Sequence, residues 1–170
     1  MKKLQFLKTL LHFIWFFSII GIIGMAIFIT FQFFSNDPFD IPIKINGEIL
    51  LAVDLTTKII LTFMVIAYCF FVYGIYHLKK VLDLFSKRII FDESIILLLY
   101  QIGLNFILAS LFTGLPLLFY KIIHEGNIGI EFGGGFSSFL FTSSLGLFFM
   151  VLSDVFKVAK TMKEENELTV

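Results

Sequence analysis

Gln101, Asn105 and Thr113 are the polar side chains whose spacing first invites a chemical reading. With Ala109 they recur at intervals of four, which places them on one face of a helix. They do so inside a stretch, 94–120, that contains no Asp, Glu, Lys or Arg. Amide and hydroxyl groups in such surroundings seek partners on a neighbouring helix, each bond being worth about 1 kcal/mol. A structural interhelical bond is the leading expectation, and the lining of a ligand or transport path is the alternative. His12 and His77, near matching ends of two adjacent apolar runs, are the residue type that grips a haem iron from two sides. Each run carries one histidine there and no second pair accompanies them, so no cofactor and no metal is expected; His124 lies at the other end. Ser137, Ser138, Ser143 and Ser144 lack a nearby histidine base, Gly133-Gly134-Gly135 lacks the Lys-Ser/Thr of a phosphate loop, and no paired carboxylates face one cavity. No catalytic residue is assigned, and the chain is expected not to be an enzyme.

Composition sets the elements that must hold these residues. Of the 170 residues, 58% are hydrophobic and 15% charged, where a soluble domain carries about 25% charged residues. Mean hydropathy is +0.96. Charge is excluded from 9–36, 59–78, 94–120 and 132–153, and each run reaches the roughly 20 residues that a helix needs to cross a hydrocarbon core about 30 Å thick. The expected fold class is an all-α membrane protein, a four-transmembrane-helix bundle in one domain over 1–170, with spans near 10–31, 55–78, 94–120 and 136–156. The first run is too long for a removable signal and has no A-x-A-like cleavage site, so it is expected to stay attached as a span. A single cysteine, Cys69, excludes an intrachain disulfide, and zero formal net charge argues against direct nucleic-acid binding.

Ten of the thirteen basic residues lie at the N-terminus (Lys2, Lys3, Lys8), in the connector 79–93 (Lys79, Lys80, Lys87, Arg88) and in the tail (Lys157, Lys160, Lys163). Lys44 and Lys121 lie in the other two loops, 32–54 and 121–135, and Lys58 lies at the loop end of the second span. By the positive-inside rule the connector and both termini are cytoplasmic, N-in and C-in, in the cell (cytoplasmic or inner) membrane. The loop 32–54 contains IPIKINGEI at 41–49, alternating apolar residues that run into an Asn-Gly pair. This is the strongest short-range hairpin signal, and a small extracellular β-hairpin is expected, with 128–132 as a further strand of the same sheet.

In the connector, Leu78, Val81, Leu82, Phe85 and Ile89 recur at helical spacing, as in a helix that leaves the bilayer or lies along its surface. Asp92 then reads as a helix cap, with Glu93 suited to the positive end of the following helix dipole. Pro116 is expected to kink or break the last turns of the third span. Asp154, at the mouth of the fourth span, either stays hydrated or pairs with Lys87 or Arg88. The tail carries Glu164, Glu165 and Glu167 against its three lysines. Lys79, Lys80, Lys87 and Arg88 with Asp154, Glu164, Glu165 and Glu167 make up the expected cytoplasmic interaction surface.

The segments LKKVLDLFSKRIIFDESIILLLYQIG and LSDVFKVAKTMKEENELTV resemble the bacterial four-span membrane proteins grouped as domain of unknown function 2975 (DUF2975). The matching features are Leu82, Phe91, Glu93, Ile102-Gly103 and the closing Glu165-Asn166-Glu167-Leu168-Thr169-Val170. Lys87-Arg88 and Ile89-Ile90 stand where the family often has a small, glycine-containing turn. The resemblance implies no reaction. It implies a membrane component working with a cytoplasmic helix-turn-helix regulator, whose gene often lies beside those of the family. The leading expectation is a non-enzymatic regulatory or interaction protein. The alternative is a small transporter or channel-forming homo-oligomer lined by Gln101, Asn105 and Thr113, against which stands the lack of an Asp, Glu, Lys or Arg deep in any span.

Overall fold

Inside a hydrocarbon layer each backbone N–H and C=O must be satisfied within its own segment, and the four charge-free runs meet that demand as α-helices. The computed structural model describes residues 2–34, 43–45, 48–50, 55–125 and 135–168. Its helices are α1 (Lys2–Phe34), α2 (Leu55–Ser86), α3 (Glu93–Glu125) and α4 (Gly135–Leu168). All four contain a stretch long and apolar enough to cross a membrane: Lys3–Phe31, Leu55–Ser86, Glu93–Pro116 and Ser138–Leu168. The chain is a multi-pass membrane protein.

The helices overrun the charge-free runs. α2 continues two turns past Leu78 to Ser86, and α4 runs through most of the charged tail to Leu168. Charge alone does not stop a helix, and the tail supports its own with Lys160–Glu164 and Lys163–Glu167 pairs at i,i+4. Pro116 is accommodated within α3, which continues to Glu125.

Each helix packs on its neighbour in sequence: α1 on α2, α2 on α3, α3 on α4. Among the described residues no close backbone approach joins α1 to α3 or α4, or α2 to α4. The α2–α3 seam holds the main core, Val81 against Ile95, Leu99, Ile102 and Phe106, with Phe149, Leu152 and Phe156 of α4 packed against it. Phe106 ties the three helices together, stacked on Phe71 at 5.3 Å and edge-on to Phe149 at 5.9 Å between ring centroids. A smaller cluster of Leu11, Ile75 and Leu82, flanked by Trp15, joins α1 to α2. The α3–α4 contact depends on two glycines that face each other. A Cβ on Gly103 would lie 2.5 Å from the carbonyl oxygen of Gly146, and one on Gly146 would lie 2.8 Å from that of Gly103.

The β part of the expected fold class is corrected. The helical bundle is present, but the extracellular β-hairpin or sheet does not belong to the architecture, which is all-helical. The extended segments among the described residues, Ile43–Ile45 and Glu48–Leu50, pair antiparallel with each other, Lys44 opposite Ile49, and come close to no helix. With three residues a side, an isolated two-stranded ribbon is marginal in water, so the pair adds no layer. The further strand expected at 128–132 lies outside the described residues.

Candidate functional site

Two of the three residues of the intramembrane polar face bond within their own helix. Asn105 is buried, and its Nδ2 donates to the backbone carbonyl of Gln101 at 2.7 Å. Thr113 Oγ1 donates to the carbonyl of Ala109 at 2.9 Å, and the Gln101 side chain is exposed. Spacing by four, which aligns side chains on one face, equally lets each reach the carbonyl one turn back. Hydroxyls that the sequence does not single out for pairing make the bonds between helices. Ser143 Oγ of α4 donates to Ser110 Oγ of α3 at 2.8 Å, and Ser153 Oγ donates to the carbonyl of Ile96 at 2.7 Å. The signal that points to them is the pair Gly103 and Gly146, because close backbone approach is what lets so short a side chain reach across. A cavity of about 520 Å³ opens between the start of α2 and the end of α3, lined by Ile60, Phe63, Phe112, Leu115 and Pro116 among others. Gln101, Asn105 and Thr113 are not among its lining residues.

The two histidines are in different surroundings. His12 is exposed, with Nδ1 3.3 Å from the carbonyl of Lys8. His77 is 4% exposed, neither ring nitrogen has a hydrogen-bond partner among the described residues, and Tyr73 meets it edge-on at 4.4 Å. Among the described residues no three His, Cys, Asp or Glu side chains gather as a metal site would require.

The turn between α2 and α3 is the most distinctive local geometry. The N–H of Arg88 donates to the carbonyl of Phe85 and that of Ile89 to the carbonyl of Leu84, both at 3.1 Å. This is the paired closure of a Schellman motif. Arg88 occupies its left-handed position with φ 61°, where a Cβ costs roughly 1–2 kcal/mol and glycine is the usual choice. The turn closes without a glycine, and both Lys87 and Arg88 are exposed. Asp92 then caps α3, its Oδ1 accepting from the N–H of Ser94 at 2.8 Å. Hydrogen bonds from the Ser94 side chain and backbone hold the Asp92 carboxyl below the usual carboxylate range.

The remaining residues of the expected interaction surface divide in two. On the α1 side, Lys79 Nζ stands 4.5 Å over the Trp15 ring and Lys80 Nζ 4.6 Å over the Tyr76 ring. Those two rings stack at 5.9 Å, and Lys8 pairs with Asp83 at 2.7 Å beside them. On the other side the end of α4 meets the turn. Phe156 stacks on Phe85 at 5.9 Å, Lys160 lies 3.8 Å from Glu93, and Lys163 Nζ stands 5.6 Å over the Phe91 ring. The tail residues that meet the turn are thus its lysines, on Glu93 and Phe91. Glu164 and Glu167 pair within α4, Asp154 and Glu165 are exposed, and among the described residues no ion pair joins Asp154 to Lys87 or Arg88. The tail is thus held against the turn without covering its cations.

No curated protein and no solved structure matched the chain. One family model does match, and it takes in all four helices, the Arg88 turn and the tail. The chain belongs to DUF2975, described as protein of unknown function, whose model matches residues 8–170.

Proposed function

We propose that this is a non-enzymatic regulatory protein of the cell membrane that binds a cytoplasmic helix-turn-helix regulator through the α2–α3 turn and the end of α4. The observation that carries the reading is Arg88. An exposed arginine sits in a left-handed conformation that glycine would adopt without cost, in a turn braced by Lys160 and Lys163. Strain kept at a solvated charged residue, whose side chain makes no hydrogen bond or ion pair among the described residues, is consistent with use by a partner. Lys87 and Arg88 suit an acidic face on that partner, and the positive-inside count supports a cytoplasmic turn with both termini on the same side.

Affinity purification from membranes tests the reading. The intact chain is expected to recover the regulator, and a chain lacking 157–170 to recover much less. No regulator with the intact chain, or equal recovery with the shortened one, contradicts it. A periplasm-active reporter fused after Ser86 is expected to be silent, and activity there rejects the orientation.

A further inference from the structure

α4 is an edge helix. Among the described residues α3 is the one helix that its backbone closely approaches, and they meet through Ser143, Gly146 and Ser153. The other side of α4 presents Phe141, Ser144, Phe148, Val151, Val155, Val158 and Met162, whose spacing alternates strictly between three and four. All seven are exposed, the six apolar ones by 55 to 71%. Alternation of three and four is the heptad period that keeps one seam turned toward a second helix.

Lipid accounts for the first part of this seam, because an apolar surface facing hydrocarbon needs no other partner. It does not account for the rest. The charge-free run ends at Ser153, and from Asp154 onward the helix carries Lys157, Lys160, Lys163, Glu164, Glu165 and Glu167. Val155, Val158 and Met162 continue the seam among those charges, 55, 58 and 65% exposed. The charges leave the seam clear as far as Met162, where it ends, because the next step of three falls on Glu165. Lys160 is engaged with Glu93 and Glu164, and Lys163 with Phe91 and Glu167.

We propose that α4 pairs with α4 of a second copy of this chain, as a parallel two-stranded coiled coil that starts within the membrane and continues past it. Two copies in one membrane share an orientation, so their α4 helices run parallel, and a two-fold axis along the membrane normal sets each seam residue against its own counterpart. A charged seam would then oppose like charges; this one carries none. Ser144 is small enough for close approach within hydrocarbon, where packing drives association. Val158 and Met162, beyond the expected span 136–156, add burial from water where the hydrophobic effect operates. The inference is independent of the proposed regulator.

Cysteine scanning of the full chain in native membranes tests the pairing. With the exposed Cys69 replaced by serine, single substitutions Val151→Cys, Val155→Cys, Val158→Cys and Met162→Cys are oxidised beside Lys157→Cys and Glu164→Cys. The expected result is a disulfide-linked species of twice the monomer mass from the four seam positions and little from the other two. No such species from the seam, equal yield at all six positions, or a linked species of another mass overturns the proposal. In lipid nanodiscs, Val155→Glu with Val158→Glu is expected to weaken self-association by at least about tenfold while the chain stays helical. An unchanged monomer–dimer equilibrium also overturns it.

Discussion

Arg88 donates its backbone N–H to the carbonyl of Phe85 at 3.1 Å while its own φ is 61°, so α2 is closed by a charged residue in the conformation that suits glycine. The side chain beyond that Cβ is exposed. Its retention is therefore separable from the stability of the turn.

Arg88→Gly is expected to stabilise the protein by about 1 kcal/mol, through relief of the left-handed Cβ, and to weaken regulator binding. Reversible unfolding in detergent reads the first effect and a binding assay the second. Lower stability would mean that the arginine contributes a contact in the folded state.

Gly103→Ala places a methyl group 2.5 Å from the Gly146 carbonyl oxygen and 2.5 Å from Met150 Cγ. The carbonyl is backbone and cannot rotate away, so α3 and α4 must separate, at an expected cost of more than about 2 kcal/mol. Gly24→Ala is the matched control, because nothing lies within 4 Å of its added Cβ. Equal tolerance of both substitutions in thermal unfolding contradicts the α3–α4 packing.

Ser153→Ala removes the hydroxyl that reaches Ile96, with an expected loss of about 1 kcal/mol. Asn105→Ala removes a bond made within one helix. Its effect on an engineered α3–α4 crosslink is expected to be smaller than that of Ser153→Ala, and the reverse order would place the interhelical bond on Asn105.

The Asp92 cap carries a pH dependence whose direction is fixed. Its folded carboxyl titrates below the ordinary range, so its contribution is fully present above that range and is lost as pH falls through the lowered folded value. Backbone NMR shifts of Ser94 and Ile95 are expected to follow that loss. In Asp92→Asn, which still accepts a hydrogen bond but does not titrate, they are expected to stay flat. The same titration in that variant rejects Asp92 as its source.

The spans were legible because exclusion of charge over a bilayer's length has few other causes. Helix ends were less so: the helical spacing from Leu78 to Ile89 was readable, but that α2 runs unbroken to Ser86 and α4 to Leu168 was not, because local capping decides where a charged helix stops. Asp92 was readable as a cap, since an acceptor before an apolar helix has a defined job. The left-handed Arg88 was not, because arginine carries no turn signal. Gln101 and Asn105 stood out by polarity, yet spacing by four does not distinguish a bond to the next helix from one to the turn below. Ser110 and Ser153 make the crossing bonds because of their azimuth on helices whose facing required the fold. The tail's contacts were hidden for a similar reason: its three lysines and three glutamates balance, and which of them face α3 depends on the azimuth of α4, which turns Lys160 and Lys163 toward Glu93 and Phe91. The Asn-Gly pairing signal at 46–47 is local and says nothing of whether a sheet joins the bundle.

The most direct test of the central claim is equilibrium binding between the full chain in nanodiscs and the purified helix-turn-helix regulator that affinity purification is expected to recover. Binding by the wild type is expected to weaken at raised salt and to fall at least about tenfold in Lys87→Glu with Arg88→Glu. No binding by the wild type, or equal affinity in the charge-reversed chain, would contradict the assignment of the α2–α3 turn as the docking surface.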